Sequence, residues 1–173
     1  MRSKVFTLTI AVPVLLLGIA CSNQRQTSYK DSVKTALEQA DLKDVTVSED
    51  KDRNTVTLGG SLHSDDAKQK ATEVAKANAG ERIVVNQVTV EPVGQESEAK
   101  NVASNLDDGI ENNYKAALVS KGLDKQHIRF DAKNGVITLK GSVKTPTQRK
   151  EAEQIAQTLP NVQQVVNEID VKR

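Results

Sequence analysis

The chain predicts an α+β protein of two tandem αββαβ units, each a three-stranded mixed sheet covered on one face by two helices. Three observations predict it. First, Val56-Thr57-Leu58-Gly59-Gly60-Ser61-Leu62 returns as Ile137-Thr138-Leu139-Lys140-Gly141-Ser142-Val143. The offset from Gly60 to Gly141 then holds without a gap as far as Val90 and Val171. A repeat of this kind sets the architecture before any single element does. Second, each unit has two stretches with apolar residues at helical spacing and others in which they alternate. Third, Gly, Pro and Asn-Gly punctuation separates those stretches.

In unit one, Tyr29, Val33, Ala36, Leu37 and Ala40 form a helical stripe, closed by Leu42 and Val45. Val45-Thr46-Val47 reads as a strand and Glu49 to Asn54 as a charged turn. Val56, Leu58 and Leu62 alternate with polar residues as a half-buried strand, with Gly60 marking a bulge or close backbone approach. Ser64-Asp65-Asp66 starts a helix, Ala67, Ala71, Val74 and Ala75 form its stripe, and Ala79-Gly80 ends it. Val84, Asn86, Val88 and Val90 make the last strand.

Unit two repeats the order. Leu106, Ile110, Tyr114, Ala117 and Leu118 form the first stripe, stopped at Gly122. Ile128 and Phe130 begin a strand, Asn134-Gly135 is a hairpin turn, and Ile137, Leu139 and Val143 return. Thr145-Pro146 places a cap and then a proline at the first helical position. Ala152, Ile155, Ala156 and Leu159 follow, Pro160 stops them, and Val165, Asn167, Ile169 and Val171 close the sheet. The units span 29–91 and 104–173, with a linker over 92–103, although Ala99, Val102 and Leu106 extend the next helix backwards into it. The third strand of each unit arrives by a crossover, which should be right-handed.

Ahead of the repeat, Met1-Arg2-Ser3-Lys4 is positive and Val5 to Ala20 is mostly apolar. That run is short for a spanning helix, which needs about twenty apolar residues. Its flanks are those of a secretory signal, residues 1–20. Ala20-Cys21 resembles a bacterial lipobox, with Gly18 where Leu is preferred, and the resemblance implies acylation of Cys21. Cys21 is the sole cysteine, so no disulfide forms within the chain. Residues 21–28 read as a tether, and Ser22 resembles an outer-membrane address; the alternative is a soluble periplasmic protein.

Composition narrows the function classes. From Tyr29 to Pro92 there are nine Lys+Arg against twelve Asp+Glu, and from Asp108 to Arg173 eleven against eight. A surplus of three, without aromatic platforms, does not indicate a nucleic-acid partner. His63 and His127 occupy unmatched places, and no Cys or His lies at metal-ligand spacing. Ser61 and Ser142 match, but no histidine is placed consistently to activate them. Asn86 and Asn167 share the parity of the buried valines and read as amides bonded to backbone. No enzyme activity, cofactor or metal is expected.

Gly135 to Val143 and Ala152 to Val171 resemble the BON domain closely, and unit one does so more loosely. There, Asn54-Thr55 replaces the Asn-Gly turn and Glu81 stands where Val162 does. The resemblance implies an αββαβ fold and non-catalytic roles: phospholipid binding, envelope integrity and osmotic-stress tolerance. A scaffold or regulator of a periplasmic envelope complex and a chaperone-like protein are the alternatives. The resemblance implies lipid contact through the first helix of unit two, with Tyr114, Lys115 and Lys121. The charge count points instead to the hairpin side, with Lys140, Lys144, Arg149 and Lys150.

Overall fold

A computed structural model describes residues 28–172. Cys21, the signal segment and nearly all of the tether lie outside the described residues. Within them, no helix is long and apolar enough to cross a membrane.

The elements of unit one are α1 (Tyr29–Gln39), β1 (Val45–Asp50), β2 (Thr55–Leu62), α2 (Asp65–Asn78), β3 (Ile83–Asn86) and β4 (Thr89–Val90). Unit two has α3 (Glu96–Ser120), β5 (His127–Lys133), β6 (Val136–Val143), α4 (Pro146–Gln157) and β7 (Gln164–Val171). β1 and β5 pair antiparallel with β2 and β6, while β3, β4 and β7 pair parallel to the same central strands. The mixed sheets are therefore those the sequence predicts.

Two details differ from the expectation. The stretch Glu49–Asn54 is shorter as a turn, because β1 runs to Asp50. The last strand of unit one is broken at Gln87-Val88, where the Gln87 carbonyl also accepts from Asn134 of unit two at 2.7 Å. The register is unchanged across the break, since Leu58 faces Asn86 and Ser61 faces Thr89. The backward extension of the Ala99-Val102-Leu106 spacing is present: α3 starts at Glu96, within 92–103, and has 25 residues against 11 in α1.

The repeated glycines have a backbone cause. Gly60 and Gly141 adopt φ of 98° and 108°. A Cβ on either would collide with a backbone carbonyl, that of Asp44 just before β1 or that of His127 in β5. Only glycine combines that φ with that approach. The repeated asparagines lock helix to sheet. Asn86 Nδ2 donates to Lys68 O (3.0 Å) and Thr72 Oγ1 (2.6 Å), while its Oδ1 accepts from Val88 N. Asn167 does the same with Arg149 O, Glu153 Oε2 and Ile169 N.

Each unit buries its own core. Val33, Leu37, Val56, Leu58, Ala71 and Ala75 anchor the first, and Ile110, Tyr114, Ile137, Leu139, Ala152 and Ala156 the second. Tyr114 meets Phe130 edge-on at a centroid distance of 4.9 Å and donates from its hydroxyl to Ala152 O. α4 carries the predicted cap, since Thr145 and Gln148 form a capping box with Pro146 at the start.

Candidate functional site

The residues with alternate parity to the cores bring the units together. Val85, Val136 and Val166 form a third buried cluster, drawn from β3, β6 and β7. Val85 and Val166 occupy the same place in the two repeats. In the structure Asn54 takes the place of Gly135, since they accept from Ile83 N and Gln164 N, which shifts the turn match by one residue; Thr55 is therefore the repeat partner of Val136, and it is also buried. Equivalent polar contacts flank the cluster. Arg53 Nη1 donates to Glu168 O at 3.0 Å, and its repeat partner Asn134 donates to Gln87 O, the counterpart of Glu168. Gln164 Nε2 adds a bond to Val84 O at 3.1 Å. The units thus meet sheet face to sheet face through like surfaces, as in an isologous interface.

α3 breaks that near-symmetry. Its first three turns extend past the core of unit two and lie over β4. Asp107 caps the hairpin below by accepting from Asn134 N (2.7 Å) and Gly135 N (2.9 Å). Between α3, β4, the start of α2 and the Asn134 turn lies an open groove of about 690 Å³. Val90, Pro92, Ala99, Val102, Leu106 and Val162 give it apolar walls. Asp65, Lys68, Glu98 and Asp107 give it charge. Burial pushes the Lys68 ammonium below its ordinary pKa, a loss partly offset by the Asp65 and Asp107 carboxylates. Sequence reasoning found the Ala99-Val102-Leu106 stripe but not the groove, because nothing local signals that one unit's helix will overhang the other.

At the other end of the chain, Arg82 Nη2 lies 2.9 Å from Glu49 Oε1, with side chains 6% and 4% exposed. Arg82 also stacks on Tyr29, 5.2 Å from the ring centroid. Ser28 Oγ and Lys30 N donate to the other Glu49 oxygen. Burial pushes the Glu49 carboxyl up, but Ser28, the Lys30 amide and the Arg82 guanidinium together hold it below the ordinary value. This pair ties the entry of unit one to its sheet.

The residues expected to touch lipid fall in different places. Tyr114 is fully buried, so it belongs to the core and not to a contact surface; this corrects its assignment. Its phenol is pushed well above the ordinary range by burial. Lys115 and Lys121 are exposed, and between them Val119 is 59% exposed. The hairpin-side group does not form one patch. Lys140 has the parity of Val136 on the open sheet face and lies 3.9 Å from the Glu168 carboxylate. Arg149 and Lys150 start α4 on the other face, where Arg149 donates to Asn167 O. Lys144 is exposed at the junction.

His63 Nδ1 lies 3.0 Å from the Glu91 carbonyl oxygen, while Ser61 donates to the Glu91 carboxylate. Lys100 completes that cluster, 3.3 Å from Glu91 Oε2. Among the described residues no three His, Cys, Asp or Glu side chains are grouped to hold a metal.

A duplicated αββαβ unit joined sheet to sheet defines a tandem-repeat α+β protein. The BON domain model matches residues 26–92 and again 106–173, and the chain belongs to that family. Osmotically-inducible protein Y of Escherichia coli (strain K12) is 30% identical over 142 residues, covering 81% of this chain and 69% of that protein. Two solved structures of CdsD, a structural protein of the type III secretion system of Chlamydia trachomatis, align with 80% and 83% of this chain. This chain spans 62% and 61% of theirs, at 12% and 13% identity and a TM-score of 0.34 each.

Proposed function

We propose that this chain is a non-catalytic envelope protein, anchored through acylated Cys21, that contacts anionic phospholipid through the C-terminal half of α3. The observation that carries the contact is Val119, an exposed apolar residue one helical turn from exposed Lys115, with exposed Lys121 at the helix C-cap. Neither lysine forms an ion pair among the described residues, whereas Lys140 is paired and Arg149 is bonded to backbone. An exposed apolar side chain beside the unpaired Lys115 ammonium, with a second ammonium at the helix end, suits the boundary between headgroups and acyl chains. Each well-placed lysine contributes about 1 kcal/mol near an anionic surface. Such contact is weak alone and becomes effective when an anchor holds the protein at the membrane. Family membership and the similarity to Osmotically-inducible protein Y support an envelope role in osmotic stress.

The test is vesicle flotation with the full chain carrying Cys21→Ser. Binding to anionic vesicles at low salt, weaker at high salt, is expected. Lys115→Glu with Lys121→Glu should abolish it, and Lys144→Glu with Lys150→Glu should leave it. Absence of binding by the parent, or loss only in the second pair, overturns the reading.

A further inference from the structure

The groove between the units has no role in that lipid contact, and its chemistry differs. We infer that it binds an extended, basic peptide segment of a partner protein, added as a strand to β4 beneath the overhanging turns of α3.

Four observations carry this. The first is the edge. In the parallel ladder, Ile83, Gln87 and Glu91 direct their N–H groups to Asn54, Leu58 and Leu62 of the central strand region. The intervening residues therefore point their backbone groups outward. Val84 O, one of these, is taken by Gln164, and Val88 N by Asn86 Oδ1. Val90, opposite Leu62 in the ladder, is one of these intervening residues, so its N–H and C=O face away from β2, and Val90 lines the groove. An unpaired strand edge accepts another strand.

The second observation is the opposite wall. Ala99, Val102, Ala103 and Leu106 recur at helical spacing and face the groove, with Val102 57% and Leu106 44% exposed. The 11-residue α1 has no such extension, so the fold of a unit does not require these turns. They supply apolar surface for the alternate side chains of an added strand.

Charge is the third. Asp65, Glu98 and Asp107 line the groove against Lys68 alone. That rim favours lysine or arginine side chains and opposes a phospholipid headgroup. An acyl chain would also leave the Val90 backbone groups without partners. The fourth is size: about 690 Å³ falls in the range of sites that enclose a ligand of several groups.

The experiment measures fluorescence anisotropy of a labelled peptide alternating lysine and valine, titrated with the full chain in detergent. Two companion probes are used: the same peptide with glutamate for lysine, and the same peptide N-methylated at alternate residues. The basic peptide should bind, the acidic one should not, and N-methylation should weaken binding about tenfold or more. Val102→Arg with Leu106→Arg, at exposed positions, should abolish binding, and Glu98→Lys should weaken it in a salt-dependent way. Equal binding of basic and acidic peptides overturns the charge argument. Equal binding of the N-methylated peptide overturns strand addition. No binding of the basic peptide overturns the proposal as a whole. Displacement of bound peptide by anionic vesicles would assign the groove to lipid instead, and a dimer that dissociates on Val102→Arg would assign it to a second copy. The flotation assay uses other residues, so either proposal can fail without the other.

Discussion

Arg82→Ala should come close to unfolding unit one while leaving unit two standing. Arg82 and Glu49 are paired at 2.9 Å with side chains only 6% and 4% exposed. Removing one member strands a buried charge, which costs about 3–5 kcal/mol. The lost stacking on Tyr29 adds about 0.5–1 kcal/mol. A core of this size rarely supplies more than about 3–5 kcal/mol, so the two quantities are comparable. The chain provides its own reporters, since it has no tryptophan and its two tyrosines, Tyr29 and Tyr114, fall one in each unit. Urea unfolding is followed by tyrosine fluorescence in Tyr114→Phe and Tyr29→Phe backgrounds. The Tyr29 signal should lose its native baseline, and the Tyr114 midpoint should move less. Replacing both partners, Glu49→Leu with Arg82→Met, should recover much of the loss, because no charge is left unpaired. A loss below about 1 kcal/mol in Arg82→Ala would class the pair with surface ion pairs and refute the reasoning.

Acid should act through the same site. Glu49 is held below its ordinary pKa in the folded state, so its stabilisation is present above the unfolded carboxyl value and fades as pH falls through the lowered one; unit one of Glu49→Gln should melt with a flatter pH dependence in that window, by circular dichroism. Val166→Asp places a charge in the Val85-Val136-Val166 cluster; it should split a coupled thermal transition into two in calorimetry, and an unchanged single transition would argue against sheet-to-sheet coupling. Gly141→Ala should cost about 2 kcal/mol or more, from its φ of 108° and the His127 carbonyl in the way. Gly109→Ala, in α3 with open space around it, should stabilise by about 0.5–1 kcal/mol; chemical denaturation measures both.

Much of the fold was legible because the pattern is local and stated twice. Gly60 and Gly141 mark a carbonyl approach, Asn86 and Asn167 mark a helix-to-strand tie, and the apolar stripes mark the covered sheet faces. The helical stripe already placed Tyr114 with Ile110 and Leu118, so its burial follows from periodicity and its use as a lipid contact conflicted with that spacing. What stayed hidden depends on distance along the chain. Val85 and Val166 look like ordinary strand residues until two open sheet faces meet. Glu49 reads as part of a charged turn until Arg82, Ser28 and Tyr29 close around it. The exposed Val102 and Leu106 look like core positions by spacing, and only the overhang of α3 leaves them facing a groove. The hairpin-side lysines and arginine were close in sequence, yet the sheet divides them between two faces.

The most direct test of the central claim is a residue-resolved NMR titration of the unacylated chain with anionic bicelles. The account predicts shifts and broadening at Lys115, Val119 and Lys121, with the Val102–Leu106 stretch and the β4 edge unaffected. The same titration with zwitterionic bicelles should leave all of these signals in place. Changes centred on Lys144 and Lys150, or no change with either bicelle at low salt, would contradict it.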